Sequence, residues 1–159
     1  MVGKLAFFLA LTLSVLTFSG IAGTQDENFW IGKYEQITDG MNATGTRSYT
    51  DFYNLEVKKD QNKTIATYES GENSDVYQKM MLTVEIKGAT AFFYYDHCLK
   101  KDDDTDESCD DSPNKQGDLM FKIVKSVGKN KKPILLTYGE KNDLLPKGKV
   151  FFKRVQSFE

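Results

Sequence analysis

The residues with the most reactive side chains lie close together in the second half of the chain. An aromatic run ends in His97 and Cys98, and an acidic run leads from there to Cys109. His97 is the only histidine in the sequence. A serine or cysteine hydrolase needs a nucleophile, a base and an orienting group within reach of one another, and no G-x-S-x-G elbow is present to supply the nucleophile. We therefore predict no catalytic residues and no enzyme activity.

The acidic run between the cysteines, Asp102–Glu107, has the carboxylate oxygens that hard cations prefer. It lacks the glycine at position six and the terminal glutamate of an EF-hand loop. The sequence also has no second cysteine pair that would complete a zinc site. We predict a solvated loop with no metal and no cofactor. At the rim of a binding cavity, the same carboxylates would instead attract a cationic ligand.

The first residues of the chain indicate its compartment. Lys4 precedes an apolar run from Leu5 to Phe18, and Gly20-Ile-Ala22 is a small-residue cleavage pattern. The apolar run is shorter than the roughly 20 residues that a bilayer span needs. We predict a signal peptide over residues 1–22, a single domain over residues 23–159, a secreted extracellular protein and no membrane partner.

Secretion determines how the cysteines and two asparagines are interpreted. In an oxidising compartment an even pair of cysteines close in sequence is expected to form one disulfide, here Cys98–Cys109. Asn42 and Asn62 each begin an N-x-T sequon and are predicted glycosylation sites on the surface. The formal net charge of −2 argues against a nucleic-acid partner.

Short segments of alternating polarity fill most of the remaining chain and are separated by turn residues. Met80–Ile86 has the clearest period of two, with Met80, Leu82, Val84 and Ile86 on one face. The predicted strands are Tyr49–Val57, Lys63–Glu69, Met80–Ile86, Thr90–Cys98, Leu119–Val124, Pro133–Tyr138 and Val150–Val155.

The spacing of these strands predicts an antiparallel all-β protein. The apolar positions of Phe29–Ile37 follow a helical stripe, which predicts a short N-terminal helix, and the polar residues Thr38–Ser48 predict a loop. A long meander leaves two edges with unpaired backbone groups, and closing the sheet removes them. We predict an up-and-down eight-stranded barrel, whose interior is filled by side chains or holds one small ligand.

Aromatic residues occur in nearly every predicted strand, and they are the best candidates for a binding site. Tyrosines inside a small barrel combine apolar walls with hydroxyl groups that fix the orientation of a ligand. The residues predicted to line such a cavity are Tyr53, Leu82, Val84, Phe93, Tyr95, Phe121 and Leu136.

Three stretches of the chain resemble a known family. They are Phe29-Trp-Ile-Gly-Lys-Tyr34, Phe93-Tyr-Tyr-Asp-His-Cys98 and Gly117-Asp-Leu-Met-Phe-Lys-Ile123. Together with the run of strands, they resemble the lipocalins, and more narrowly the secreted salivary lipocalins of blood-feeding arthropods such as ticks. The chain has fewer cysteines than is usual in that group, and Gly32 follows Trp30 where the general lipocalin signature has a glycine before the tryptophan.

The resemblance implies a salivary protein with a lipocalin-like barrel that sequesters a small molecule, either a biogenic amine or a lipid mediator. An alternative is a secreted protein-binding module, an inhibitor or immune modulator that contacts a host protein through its loops. The volume of the interior separates these two hypotheses.

Overall fold

The computed structural model describes residues 24–41, 43–99, 113–141 and 145–155. The predicted signal peptide, Asn42, the acidic run and Cys109 lie outside these residues.

Within the described residues the chain forms one short helix followed by nine strands. The helix, α1, spans Thr24–Trp30. The strands are β1 (Gly32–Met41), β2 (Ser48–Asp60), β3 (Lys63–Glu72), β4 (Asp75–Lys87), β5 (Thr90–Cys98), β6 (Leu119–Val127), β7 (Pro133–Gly139), β8 (Lys149–Val150) and β9 (Lys153–Val155).

All nine strands belong to one antiparallel sheet with the order β8-β7-β6-β5-β4-β3-β2-β1-β9. The two outermost strands of this order, β8 and β9, are consecutive along the chain, so the segment Lys149–Val155 joins the two edges of the sheet. The result is a nearly closed up-and-down barrel. The predicted fold class is therefore confirmed.

The last strand differs from its prediction because it is divided in two. Val150 of β8 pairs with Leu136, whereas Arg154 of β9 pairs with Tyr34 on the other side of the seam. Phe151 and Phe152 lie between the two short strands, and Phe152 is buried. A single predicted strand thus becomes two, because its two halves pair with opposite edges of the sheet.

The start of the barrel also differs from its prediction. The helix ends at Trp30, and the residues from Gly32 to Met41 pair with β2 along their whole length. The predicted helix over Phe29–Ile37 is therefore wrong after Trp30, and the predicted loop from Thr38 begins too early. Trp30 and Tyr34 are both buried, so their spacing of four imitated a helical stripe. Gly32 has a φ of +146°, a conformation that lets the chain turn from the helix into the strand.

Tight turns connect the central strands. Asp60 pairs with Lys63, and Glu72 pairs with Asp75, so each hairpin has a two-residue turn. Gln61 and Asn73 have φ values of 52° and 51°, as the favoured primed hairpin turns require. These local connections explain why turn residues separated the alternating segments that predicted β2, β3 and β4.

The barrel has two ends, which we call the closed end and the mouth. The closed end carries α1 and the β2–β3, β4–β5 and β6–β7 turns; the mouth carries the β1–β2 and β3–β4 connections. Between them lies one hydrophobic core. The buried apolar residues are Trp30, Tyr34, Leu55, Val57, Ala66, Tyr68, Met80, Leu82, Val84, Ala91, Phe93, Tyr95, Met120, Phe121, Ile123, Leu145 and Phe152.

Candidate functional site

The helix covers the closed end of the barrel, and Trp30, the last residue of the helix, is buried there. The indole is 2% exposed and contacts the ring of Phe29 edge to face, with 5.2 Å between centroids. The hydroxyl of Tyr34 donates a hydrogen bond of 2.8 Å to the carbonyl oxygen of Trp30. Burial raises the pKa of Tyr34, while the charge of Arg154 opposes part of that shift. The phenol therefore stays a neutral donor.

Three cationic side chains hold the helix and the residue after it against the barrel. Lys125 Nζ lies 4.0 Å from the centre of the Phe29 ring. Arg154 donates a hydrogen bond of 2.7 Å to the carbonyl oxygen of Ile31, and Lys59 forms an ion pair with Glu27. This end of the barrel is thus covered by a fixed structure, and we place the candidate site toward the mouth.

Aromatic rings fill the middle of the barrel. Phe121 stacks on Phe93 with 4.5 Å between centroids, and it lies 5.9 Å from Tyr68 and 6.5 Å from Phe152. The same chain of contacts continues toward the mouth, because Phe151 contacts Phe152 at 5.1 Å and Tyr53 at 5.0 Å. The interior is therefore an aromatic cluster. Its members nearest the mouth, Tyr53 and Phe151, are less buried than Phe93 and Phe121 in the middle of the barrel.

Two hydroxyl groups inside the barrel lack a hydrogen-bond partner among the described residues. They are Tyr68 Oη and Thr137 Oγ1, on side chains that are 1% and 0% exposed. Burial raises the pKa of Tyr68 to about 12, and the Ser70 side chain, which approaches the phenol without forming a hydrogen bond of normal geometry, opposes part of this shift. Leaving a buried hydroxyl unsatisfied costs about 1–3 kcal/mol. Such groups call for a specific explanation, which a bound water or ligand would provide.

The inward face of the mouth is polar. Asp51 and Glu72 are paired across β2 and β3, on the faces that continue from Tyr53 and Tyr68. Both carboxylates are half-buried. Partial burial raises the pKa of Tyr53, and the charge of Asp51 raises it further. A ligand that enters here meets two carboxylates and a phenol before it reaches the aromatic cluster.

The structure brings most of the predicted lining residues into one region. Leu82, Val84, Phe93, Tyr95 and Phe121 belong to the buried core, and Tyr53 is half-buried against it. Leu136 is separate from this region. It lies on the other face of β7 from its buried neighbour Thr137, and it pairs with Val150, which is 55% exposed. The inward residues of β7 are Leu135 and Thr137, neither of which is among the residues predicted to line the cavity.

The residues predicted to be modified lie at the surface where they are described. Asn62 is exposed in the β2–β3 turn, at the opposite end of the barrel from the mouth. Cys98 is half-buried at the end of β5. Because Cys109 and Asn42 lie outside the described residues, the disulfide and the first glycosylation site stay predictions.

His97 lies next to Cys98 near the mouth, with its side chain 57% exposed. Its Nδ1 atom is 3.0 Å from a carboxylate oxygen of Asp96. The amide of Gln116 donates a hydrogen bond of 2.6 Å to the same carboxylate and is the main reason that the pKa of Asp96 is lowered. The imidazole therefore contacts a carboxylate that is already stabilised in its charged form.

The part of the chain that the structure describes contains neither a cluster of metal ligands nor a membrane-spanning helix. No group of three or more histidine, cysteine, aspartate or glutamate side chains is arranged to hold a metal ion there. None of the described helices has the length and apolar character that crossing a membrane would need.

Compared with known proteins, the chain matches no family model, no curated protein and no solved structure. The nearly closed antiparallel barrel is compatible with a lipocalin-like fold. Membership of the lipocalin family stays a prediction from the three sequence stretches.

Proposed function

We propose that this protein is a secreted, salivary-type binding protein that sequesters one small molecule in the mouth-side half of its barrel. The resemblance to the lipocalins makes a biogenic amine or a lipid mediator the expected ligand. The protein would act by stoichiometric capture, without turnover, and would need no cofactor.

The observation that carries this proposal is the pair of buried hydroxyls without partners. Tyr68 Oη and Thr137 Oγ1 lie in an interior that is otherwise lined by aromatic and aliphatic side chains. Ligand pockets usually combine apolar walls with a few polar groups that fix the orientation of the ligand. A ligand that hydrogen-bonds either hydroxyl would remove the cost of its burial and gain affinity from it.

The geometry of the mouth supports entry from one side only. The helix and Trp30 cover the closed end, whereas Tyr53, Asp51 and Glu72 are only half-buried at the opposite end. The two carboxylates favour the amine over the anionic lipid mediator, because an ammonium group would be attracted and a carboxylate repelled there. Tyr53 and Phe151 would need to move apart to admit a ligand, and both are at the less buried end of the aromatic cluster.

Isothermal titration calorimetry with histamine, serotonin, a leukotriene and a fatty acid tests the proposal on the folded protein. For the ligand that binds, Tyr68→Phe is expected to weaken binding about tenfold, which corresponds to about 1.4 kcal/mol. The matched control is Tyr94→Phe, because Tyr94 donates its hydrogen bond to Glu85 on the outer face and should leave the affinity unchanged. No binding by any of the four compounds to a folded protein would contradict the proposal.

A second candidate function is the protein-binding module, and two observations favour it. The rings of Phe93, Phe121 and Tyr68 pack across the centre of the barrel, as they would in an interior without a cavity. Exposed apolar side chains also lie along the seam, where Ile37 is 56% and Met41 is 67% exposed.

Grooves on the outer wall are consistent with this second function. One groove of about 790 Å³ lies between Ile31, Lys58 and Arg154, and another of about 280 Å³ lies over Asn54, Thr67 and Glu69. If the protein binds a host protein through the exposed apolar residues of β1, the double variant Ile37→Ser, Met41→Ser should abolish capture of that protein while leaving the folded barrel intact. The Tyr68→Phe variant should have no effect on that capture, which separates the two functions.

A further inference from the structure

One hairpin differs in charge from the rest of this acidic protein. Between Leu119 and Gly139, the span of β6, its turn and β7, the sequence has five lysines and no aspartate or glutamate. The whole chain has 23 acidic residues and a formal net charge of −2. Because salt screens exposed charges beyond about 8 Å at physiological ionic strength, a partner at this hairpin responds to the local lysines rather than to the net charge.

The tip of the hairpin presents its lysines in a defined geometry. Lys129, Lys131 and Lys132 are exposed, and none of them forms an ion pair with a carboxylate in the described part of the chain. The turn is closed by two backbone hydrogen bonds of 2.9 Å, from Gly128 N to Lys132 O and from Lys131 N to Gly128 O. Three unneutralised ammonium groups therefore project from an ordered turn.

A groove beside this tip continues the positive surface. It has a volume of about 490 Å³ and is formed by the β6–β7 hairpin on one side and by Gly88 and Ala89 of the β4–β5 turn on the other. Its lining combines the polar residues Lys125, Ser126 and Lys131 with the apolar Val127 and Pro133, and it includes no carboxylate among the described residues. The ammonium group of Lys125 lies over the Phe29 ring, so Lys131 and Ser126 are the groups of this wall that would meet an anion.

We propose that the basic hairpin binds a sulfated polysaccharide through Lys129, Lys131 and Lys132, with one sulfate group at the end of the groove beside Lys131 and Ser126. Sulfate stays fully charged at neutral pH, and a polysaccharide repeats it along a flexible chain, which matches several lysines on one turn. Val127 is the only large hydrophobic side chain exposed on this hairpin among the described residues. Neither a ring platform for stacking bases nor an apolar patch for insertion into a bilayer is present there.

This proposal is independent of the small-molecule function, because the hairpin tip is at the closed end and the candidate small-molecule site is in the mouth-side half. A protein that binds both partners would be retained on a glycan surface while its cavity stays accessible. Failure of one function would therefore leave the other untouched.

Surface plasmon resonance on immobilised heparin tests the proposal with the full secreted chain. The triple variant Lys129→Gln, Lys131→Gln, Lys132→Gln is expected to bind at least tenfold more weakly than the unchanged protein at 0.15 M salt, and its affinity should depend less steeply on salt. The matched control is the triple variant Lys115→Gln, Lys147→Gln, Lys149→Gln, which removes the same charge near the mouth. Circular dichroism and thermal melting establish that both variants are folded.

Three results would overturn the proposal. The first is no heparin binding by the unchanged protein at 0.15 M salt. The second is an equal loss of binding in both triple variants, because that outcome would assign the effect to overall charge. The third is equal binding to desulfated heparin, or to vesicles of phosphatidylcholine and phosphatidylserine, because sulfate would then not be the group recognised. A loss confined to the hairpin variant, with no binding to desulfated heparin, supports the proposal.

Discussion

The closed end and the mouth-side half of the barrel differ in whether their polar groups form hydrogen bonds within the protein. At the closed end the phenol of Tyr34 donates to Trp30, and the guanidinium of Arg154 donates to Ile31. In the mouth-side half, Tyr68 and Thr137 are at least as deeply buried, yet their hydroxyls meet no partner within the described residues. The polar groups of the first region are satisfied by contacts within the protein, whereas the second region leaves two hydroxyl groups that a bound ligand would satisfy. This difference is why the two regions are assigned structural and binding roles.

The largest expected effect comes from removing the ring that covers the closed end. Trp30→Ala should destabilise the protein by about 3–5 kcal/mol, as loss of a fully buried tryptophan does. Tyr53→Ala at the mouth should cost clearly less, because Tyr53 is only half-buried. Urea unfolding of the two variants measures both changes. Equal costs would contradict the distinction between a fixed end and an adaptable one.

Removing the hydroxyl of Tyr34 should lower the free energy of unfolding and removing that of Tyr68 should not, which tests the same distinction. Tyr34→Phe should destabilise the protein by about 1–2 kcal/mol, because the carbonyl oxygen of Trp30 loses its donor. Tyr68→Phe should leave stability unchanged or raise it by about 1 kcal/mol, since its hydroxyl has no partner to lose. Both free energies of unfolding come from urea titration in the absence of ligand. A large loss of stability in Tyr68→Phe would show that the hydroxyl is satisfied in the free protein.

The pH dependence of stability provides a third test. Burial raises the pKa of Tyr68 from 10.0 to about 12, so the folded state favours the neutral phenol. The stabilisation from this shift is fully present below pH 10 and is lost as the pH rises toward 12. The unchanged protein should therefore lose stability faster than Tyr68→Phe across this interval, by at most about 1.4 kcal/mol per pH unit. If the urea midpoints of the two proteins fall by the same amount between pH 9 and 12, the pKa of Tyr68 is not raised in the folded state.

The smallest expected effect concerns an ion pair on the surface of the closed end. Lys59 pairs with Glu27, and both side chains are partly exposed. Lys59→Met should cost less than about 1 kcal/mol, and the difference should shrink as salt is added. Thermal melts at low and high salt measure it. A larger, salt-insensitive cost would mean that this pair, rather than Trp30, holds the helix in place.

The sequence predicted the strands that have clear local signals. Thr90–Cys98 was assigned with the bounds that the structure has, because its aromatic residues and the turn before it are both local features. The inward face of β4 was also correct, since Met80, Leu82 and Val84 alternate without interruption and are buried. Local pattern and long-range pairing agree in these elements.

The remaining features depend on contacts between distant residues. The division of Val150–Val155 follows from pairing with β7 on one side and β1 on the other, which local alternation does not encode. Thr137 had no signal in the sequence, because a buried threonine without a partner looks like any exposed threonine in a strand. Leu136 was predicted to face the interior, and an apolar side chain is indeed more typical of a core position than the hydroxyl of Thr137 beside it.

Native mass spectrometry of the purified, folded protein tests the central claim most directly. If the mouth-side half of the barrel is completed by a ligand, the spectrum should contain a species one small molecule heavier than the free chain. Tyr68→Phe should reduce the fraction of that species, and Tyr94→Phe should not. A single folded species at the mass of the free protein, which stays unchanged when amines and lipid mediators are added, would contradict the account.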